Sequence, residues 1–467
     1  MRAVIFAIIG IYAYLGMALW SPIPKSPICR KKPCALCDTP EKGYQCQPAT
    51  SHNWGSYAPY FTVPSKISAK VPSGCLITFA QVLSRHGARF PTKRKTAFYK
   101  ETIDVLRKTA KKYPAKYAFL KTFRLRLGHA DLTYFGEQQM INSGIKFYNQ
   151  YSSLAKLEDP FFRAAGSDRV IESGMNFTQG YHMAKSKKRP DNAFPYPMLV
   201  ISEADGQNNT LQHITCTNFE NGPKYGAIES KKWAAQFVPP IAKRINTDLG
   251  TNLNLEQVHA LMDLCPFETV DDPQGKFSPF CNLFTQAEWV SFSYYYTLTK
   301  FYNIGAGNPL GPTQGVGWTN ELIARLTNTP VQDHTTTNST LTSNPATFPL
   351  HKKLYADFTH DNSLTAIMFA MGLYETGRPL LKDKTQSRFS ASVSAPFAAR
   401  MYVEKMRCKG KKPSDELVRV LVNDRVVPLR NCGADQLGRC SLGNFVESLG
   451  FAQRGGDWDK CFSTKSK

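Results

Sequence analysis

The most restrictive feature of this sequence is a junction that occurs three times, in which a short apolar run ends at polar residues and a helical pattern follows. The apolar runs are 75–84, 161–166 and 354–359. Strand-length runs that alternate with helices are typical of α/β folds. Ligands bind at the carboxyl ends of the strands in open α/β sheets, because the loops there converge on a crevice. We therefore expect an α/β fold with its functional residues along one edge of the sheet.

The segments between the junctions predict the remaining architecture. Apolar residues recur at helical spacing over 96–113 and 134–157, and 198–202 is a further strand-length run. Segment 206–330 is mainly helical and loop-like, so it is the candidate for a lobe inserted into a catalytic unit that spans 73–467. Residues 21–72 are rich in Pro, Ser, Cys and aromatics and are expected to form an arm pinned by disulfides.

The amino-terminal residues are typical of a targeting segment, because a positive residue precedes an apolar run from Ala3 to Leu19. Segment 1–20 is predicted to be a signal peptide, with an uncleaved signal anchor as the alternative. No later segment is apolar enough to span a membrane. We expect no stable membrane association unless the leader is retained.

The twelve cysteines indicate an oxidising compartment. Cys34 and Cys37 have C-x-x-C spacing, but no second pair or histidine lies at ligand distance, so disulfides are favoured over a zinc site. Three glycosylation sequons begin at Asn176, Asn208 and Asn338 and agree with a secretory route. We therefore expect a secreted, extracellular glycoprotein.

The formal net charge of +22 indicates that the protein attracts polyanions. Nucleic acid, acidic polysaccharide, a membrane surface and a highly phosphorylated small molecule all fit, and charge alone does not choose among them. The basic residues are dispersed, without interleaved aromatics or a known nucleic-acid motif, so we expect no nucleic-acid partner. For each basic run, a solvated helix face or loop end is the ordinary interpretation.

The segment Arg85-His86-Gly87-Ala88-Arg89-Phe90-Pro91 predicts phosphoryl transfer. A neutral imidazole nitrogen among fixed positive charges suits attack on a phosphate dianion, so His86 is the candidate nucleophile and would form a phosphohistidine. The candidate donors to the phosphate oxygens are Arg85, Arg89, Arg163 and His360. The arginines would also lower the pKa of His86 and keep it unprotonated in acid.

Asp361 is the candidate general acid, because an alkoxide leaves poorly without a proton. Nearby arginines favour the carboxylate, whereas an incoming phosphate dianion opposes ionisation, so substrate binding should raise the pKa of Asp361. We expect an acidic pH optimum. Taken singly, each of these residues is more often a structural hydrogen-bonding group or a helix cap, and the argument for function rests on three sites sharing one sheet edge.

The chain resembles the fungal histidine acid phosphatases of the phytase branch. The matching stretches are 78–89, 201–204, 305–317, 354–362 and 418–429. The resemblance covers nearly everything from Cys37 to Cys461. It implies an α/β catalytic domain with a central mixed sheet, a smaller α-helical domain, an active site between them, and catalysis without a metal or other cofactor. It also implies that His86 is the nucleophile, that Asp361 is the proton donor, and that the phosphate ligands are Arg85, Arg89, Arg163 and His360.

The same resemblance implies the disulfides. The pairs are Cys37 with Cys46, Cys75 with Cys408, Cys216 with Cys461, Cys265 with Cys281, and Cys432 with Cys440. Cys29 and Cys34 are left and are expected to pair with each other.

The pocket rim departs from the family pattern. The family commonly has a Ser/Lys-rich loop after Pro91, whereas 92–95 is shorter and more basic, and Thr299 replaces a lysine beside Lys300. The candidate rim residues are Lys93, Arg94, Lys95, Lys300 and Asn362. The rim cations could select phytate, myo-inositol hexakisphosphate, or they could merely be solvated. We expect phytate as the substrate, with broad-specificity phosphomonoester hydrolysis as the alternative.

Two further functions stay open at the level of the sequence. Phosphoryl transfer within a sugar phosphate, as in phosphoglycerate mutases, shares the nucleophile, but the leader, sequons and cysteines argue against an intracellular role. A non-enzymatic polyanion-binding protein would bind phosphate ligands without releasing phosphate. We expect a monomeric hydrolase of a small phosphorylated molecule.

Overall fold

The computed structural model describes residues 47–187, 196–272, 276–374, 389–410 and 415–463. The predicted leader 1–20, residues 21–46 of the predicted arm, and the predicted pairs Cys29 with Cys34 and Cys37 with Cys46 lie outside the described residues. Within the described ranges, no helix is both long and apolar enough to cross a lipid bilayer.

The core of the fold is a mixed sheet. Its strands are β1 (Cys75–Arg85), β2 (Phe161–Ala165), β3 (Met198–Ile201), β4 (Leu354–Thr359), β5 (Arg400–Cys408), β6 (Leu417–Val422), β7 (Arg425–Val426) and β8 (Cys440–Ser441). Their order in space is β3-β2-β4-β1-β5-β6-β7, and β8 pairs with β6. The predicted α/β fold is confirmed, and the four predicted strand runs match β1 to β4 to within one residue.

Helices surround this sheet and build the lobe. In chain order they are α1 (Pro48–Ser51), α2 (Lys93–Thr109), α3 (Tyr134–Gln150), α4 (Ser152–Ala155), α5 (Asp168–Ser186), α6 (Thr217–Glu220), α7 (Tyr225–Leu249), α8 (Leu255–Asp271), α9 (Gln286–Ile304), α10 (Val316–Thr327), α11 (Ser339–Thr342), α12 (Asp361–Ala370), α13 (Ala391–Ser394), α14 (Leu442–Ser448) and α15 (Gly450–Gln453). The predicted helix 134–157 is divided at Tyr151 into α3 and α4. The predicted helix 96–113 begins earlier, at Lys93, because the Thr92 side chain accepts the Lys95 N–H and caps it.

The register of the sheet brings four strand ends to one edge. β3, β2, β4 and β1 are parallel, and Arg85 of β1 lies opposite Thr359 of β4. β2 lies on the side of β4 away from β1, and Ala165 at the end of β2 lies opposite Ile201 at the end of β3. The segments that follow these four strands therefore leave the sheet together, as the three sequence junctions predict.

The described part of segment 206–330 consists of helices α6 to α10, short 3-10 turns and loops. Capping boxes start α8 at Asn254 and α9 at Thr285, so both helices begin with satisfied backbone donors. Trp289 on α9 and Leu261 on α8 are almost completely buried. This helical lobe supplies Lys300, near the end of α9, to the site described below.

The described part of the predicted arm, 47–72, packs on the sheet domain through its backbone. Val63 donates to the carbonyl of Asn423, and Phe397 donates to the carbonyl of Ala58. The carbonyl of Ser56 accepts from Arg85 Nη1 at 2.5 Å. The arm thus holds one of the arginines that the sequence places in the site.

The disulfides within the described ranges are four of the five pairs that the resemblance implies. They join Cys75 with Cys408, Cys216 with Cys461, Cys265 with Cys281, and Cys432 with Cys440. The first links the start of β1 to the end of β5, its antiparallel neighbour. Closing such a long loop stabilises the fold mainly by restricting the unfolded chain.

Candidate active site

His86 follows β1 directly and is 2% exposed. Its backbone is fixed on both sides, since His86 N donates to the Thr359 carbonyl and the His86 carbonyl accepts from Ala398 N. The ring Nδ1 lies 2.8 Å from the carbonyl oxygen of Gly87. Because a carbonyl can only accept, Nδ1 carries the proton and Nε2 keeps its lone pair. The imidazole is therefore held in the tautomer in which Nε2 is the nucleophilic atom.

The loop after His86 lies tightly against two helices. A Cβ atom at Gly87 would lie 2.3 Å from the Gly136 carbonyl oxygen, so only glycine fits this close approach. Gly87 N donates to Ser173 Oγ on α5, and Ala88 N donates to Gln139 Oε1 on α3. The sequence R-H-G-A-R thus makes a rigid turn.

The electrostatics of the site keep His86 neutral. Burial is the largest cause that lowers its pKa, and the charges of Arg85 and Arg89 lower it further, well below the ordinary value of 6.5. An unprotonated imidazole therefore persists into acid, as the sequence analysis predicts.

Arg85 and Arg89 carry donors that the protein leaves open. Arg85 is fully buried, and its Nη1 donates to the carbonyls of Ser56 and Ala395. Its Nε has no hydrogen-bond partner among the described residues, and Nη2 faces Asp361 Oδ2 at 3.4 Å. Burial lowers the pKa of Arg85 to about 10, so it stays cationic at physiological pH. Arg89 Nη1 donates to the Phe90 carbonyl, and its buried Nε is likewise without a partner in the described chain.

Asp361 begins α12, and its carboxylate forms ion pairs with two cations. Lys300 Nζ lies 2.5 Å from Asp361 Oδ2 and 2.6 Å from Asn362 Oδ1. Although burial raises the pKa of Asp361, Lys300 and Arg85 outweigh it and hold the pKa well below 3.8. Asp361 is therefore a carboxylate while these cations face it, and it can donate a proton only when they are drawn away.

His360, at the N-cap of α12, lies between a carboxylate and an arginine. Its Nε2 is 2.7 Å from Glu203 Oε1, and its Nδ1 is 3.2 Å from Arg169 Nη2. The His86 and His360 ring centroids are 5.9 Å apart. Four parallel strands thus contribute to one polar cluster: β1 through His86, β4 through His360 and Asp361, β2 through Arg169, and β3 through Glu203.

Comparisons with known proteins show the family to which this chain belongs. Residues 76–423 match the family model of the histidine phosphatase superfamily, branch 2. Phytase A of Aspergillus oryzae is 51% identical over 440 aligned residues, covering 91% of this chain and 94% of that protein. Phytase A of Neurospora crassa is 44% identical over 512 aligned positions, covering 97% and 99%.

The chain belongs to branch 2 of the histidine phosphatase superfamily. Within it, the chain falls among the fungal histidine acid phosphatases of the phytase branch, as the sequence analysis predicted. Solved structures show the same fold: a phytase from D. castellii has a TM-score of 0.73 at 22% identity, covering 89% of this chain and 88% of that one. The apo form of a multiple inositol polyphosphate phosphatase from Bifidobacterium longum has a TM-score of 0.62 at 16% identity, covering 85% and 97%.

In this histidine phosphatase, Arg163 does not reach the polar cluster, which corrects its assignment as a phosphate ligand. It is the third of five residues in β2 and lies opposite Asp357 of β4. Its Nε and Nη2 bind Asp357 at 2.8 and 3.0 Å, and Nη2 also binds Glu321 at 2.5 Å. Both carboxylates raise the pKa of Arg163 despite burial, and its charge is already paired.

Arg169 occupies the place that the sequence analysis gave to Arg163. It lies in the first turn of α5, contacts His360, and has a buried Nε without a partner in the described ranges. The sequence contained a signal that distinguishes the two arginines. His86, His360 and Asp361 all follow the last residue of a strand, and so does Arg169, whereas Arg163 lies inside β2. Glu203, which follows β3, was also missed as a site residue.

The predicted rim residues divide into three groups. Lys300 and Asn362 lie inside the site, beside Asp361. Lys93 and Arg94 are exposed at the start of α2. Lys95 does not present a free charge, because its Nζ binds the buried Asp263 and the Tyr57 hydroxyl, both at 2.9 Å.

The three sequons differ in their surroundings. Asn208 is exposed in a loop, and Asn338 caps α11. Asn176 lies in the middle of α5, where Phe177 and Thr178 are buried. Glycosylation at these positions stays a prediction.

We predict that Arg163→Met mainly lowers the stability of the protein, whereas Arg169→Gln mainly lowers its activity. Arg163→Met leaves Glu321 without its arginine, so the free energy of unfolding should fall by about 3–5 kcal/mol while the folded enzyme keeps most of its kcat/KM. Arg169→Gln should lower kcat/KM by about 10²–10³-fold with little loss of stability. Urea unfolding and phosphatase assays measure both. A well-folded Arg163→Met protein without activity would restore the original assignment.

We also predict that His86→Asn becomes more stable relative to the wild type as the pH falls. In the unfolded chain His86 binds a proton below its ordinary pKa of 6.5, whereas the folded site excludes it, so this histidine costs stability in acid. The gain should grow by up to about 1.4 kcal/mol per pH unit below that value. Unfolding is measured at about pH 4.5 and about pH 7.5. An equal difference at both pH values would contradict the lowered pKa.

Proposed function

We propose that this protein is a secreted phytase, an acid phosphatase that hydrolyses phosphomonoesters through a phosphohistidine at His86. The observation that carries the proposal is the fixed tautomer of His86, with Nε2 free among arginines that retain open donors. The family membership and the Phytase A relatives support the same reaction.

In the first step, His86 Nε2 attacks phosphorus and the bond from phosphorus to the ester oxygen breaks. Asp361 gives its proton to the departing oxygen, which leaves as an alcohol. Open donors on Arg85, Arg89 and Arg169 stabilise the charge on the transferring phosphoryl group. In the second step, Asp361 takes a proton from water, the water oxygen attacks phosphorus, and the bond to His86 breaks to release orthophosphate.

Substrate binding prepares Asp361 for its role. In the empty site, Lys300 and Arg85 hold the carboxylate ionised. A phosphate dianion competes for these cations and adds negative charge beside Asp361, and both effects raise its pKa. The proton donor therefore forms when substrate is present, and the reaction is expected to be fastest in acid.

A pocket with several basic side chains at the start of α2 favours a substrate with several phosphates. Lys93, Lys100, Arg126 and His129 line a cavity of about 380 Å³ at the start of α2, directly after the loop that carries His86. With a formal net charge of +22, the protein also attracts polyanions over longer distances. Phytate fits both features, and a broad-specificity acid phosphatase is the second candidate.

The location and the assembly of the protein are also proposals. The apolar leader in the sequence and the four disulfides support secretion to the extracellular space. We expect a monomer.

The proposed function predicts that the purified protein releases inorganic phosphate from phytate in mildly acidic buffer with a chelator present. His86→Ala should abolish the release, and acid-quenched wild type should carry label from a labelled ester at position 86. p-Nitrophenyl phosphate as a second substrate separates a phytase from a general phosphatase by the ratio of kcat/KM values. Binding of phytate without phosphate release would instead identify a polyanion-binding protein.

Asp361→Asn should lose about 10²–10⁴-fold in rate on phytate, because the alkoxide leaves only with a proton. It should lose much less on p-nitrophenyl phosphate, whose phenolate is a good leaving group. Asp457→Asn, a partly exposed carboxylate that pairs with Lys460, serves as the control and should match the wild type. Equal losses on the two substrates would refute the assignment of Asp361 as general acid.

A further inference from the structure

Glu203 lies in the active site without a part in the two steps above. It follows β3, and its side chain is 20% exposed. Its Oε1 accepts the backbone N–H of Ser167 at 3.1 Å and lies 2.7 Å from His360 Nε2. Its Oε2 accepts from Gln212 Nε2 at 3.3 Å. Three contacts thus hold this carboxylate in place beside Nε2 of His360.

The contacts of His360 define its tautomer in the empty site. Arg169 Nη2 can only donate, so His360 Nδ1 accepts from it and carries no proton. Nε2 then carries the proton and donates it to Glu203. In this state both ring nitrogens are engaged, and neither can donate a hydrogen bond to a phosphate.

A bound phosphate changes this arrangement. It accepts hydrogen bonds from Arg169, which removes the donor from His360 Nδ1 and leaves a lone pair facing an anion. His360 can then act as a phosphate donor only if Nδ1 gains a proton, which makes the ring an imidazolium. The negative charge of Glu203, in contact with Nε2, favours this charged form.

We propose that Glu203 is a positioning residue for catalysis: its carboxylate orients the His360 ring and stabilises the imidazolium that donates Nδ1–H to the phosphoryl group. This inference rests on the proposed phosphatase function and adds to it the residue that sets the protonation of His360. The titratable and charged groups that face His360 are Glu203, Arg169, His86 and Asp361. Arg169 opposes the imidazolium until the phosphate engages it.

The charge state of Glu203 agrees with this role. Burial raises its pKa, but the hydrogen bonds from His360 and the Ser167 N–H and the charge of Arg169 lower it more, so the net shift is downward. Glu203 therefore remains a carboxylate in the acid range in which the enzyme is expected to work.

The test is the pH profile of kcat for Glu203→Gln, which reports ionisations of the enzyme with substrate bound. The substrate is p-nitrophenyl phosphate, whose phenolate leaves without the Asp361 proton, so the alkaline limb reports His360. The amide oxygen still accepts from Nε2–H, but the charge is gone, so the alkaline limb should move to lower pH by about one unit. Glu203→Asp keeps the charge with a shorter reach and should recover part of the shift. If Glu203→Gln does not fold, Glu203→Asp alone is compared with the wild type. An alkaline limb at lower pH than in the wild type supports the proposal, and an unmoved limb overturns it.

Glu288→Gln is a matched control for a purely structural effect. The Glu288 side chain is 19% exposed, pairs with Arg244 and caps α9 in the helical lobe. Its substitution should lower thermal stability without moving the pH profile. An alkaline limb that stays in place in folded Glu203 variants overturns the proposal.

A second measurement does not depend on turnover. With inorganic phosphate bound, the ring nitrogens of His360, assigned by comparison with His360→Asn, should both be protonated to higher pH in the wild type than in Glu203→Gln, as nitrogen NMR reports. Equal titration of the ring in both proteins overturns the positioning role. Failure of the proposed function looks different, because the wild type would then release no phosphate from any ester.

Discussion

The structure depends on one buried carboxylate, that of Asp357, which is completely inaccessible at the centre of the sheet. Asp357 on β4 accepts from Gln81 on the neighbouring β1 and from Arg163 on the neighbouring β2. It also accepts from Trp318 and Arg325 on α10. Since His360 comes three residues later, a fixed Asp357 fixes the end of β4 relative to the two strands beside it. The cost of burying this charge is offset only because its partners surround it.

Five arginines in or beside the sheet have two different roles. Arg163 and Arg325 bind Asp357 and support the sheet. Arg325 also has donors without a partner in the described chain, but its guanidinium lies over the rings of Phe348 and Tyr355. Arg85, Arg89 and Arg169 are held near the strand ends and retain donors that no described residue satisfies. An unsatisfied buried donor costs free energy in the empty protein, and an oxyanion that accepts from it recovers that cost on binding. Affinity for phosphate thus originates in the arginines that the fold keeps away from carboxylates such as Asp357.

The charged groups of the site are paired with one another, so a ligand that competes for the cations changes the protonation of Asp361. Lys300 and Arg85 bind Asp361, while Arg169 donates to His360. A phosphate dianion competes for each of these cations, so binding favours a protonated Asp361. His86 is neutral before it attacks, because burial lowers its pKa and the arginines that attract the phosphate lower it further. Nucleophile and acid can therefore coexist in the required forms in acid.

The sequence alone determined the α/β class, strands β1 to β4, the sheet edge on which the site lies, and the pairing of His86 with His360 and Asp361. These features follow from local periodicity and from the convergence of parallel strand ends. The tertiary structure decided which cations face the site: Arg163 and Lys95 are bound to the buried carboxylates of Asp357 and Asp263, whereas Arg169 and Lys300 approach the phosphate-binding groups. A carboxylate that neutralises an arginine can lie nearly two hundred residues away in the chain, as Asp357 does from Arg163. No local pattern records such a contact, because the charge of an arginine is the same whether its partner is protein or substrate.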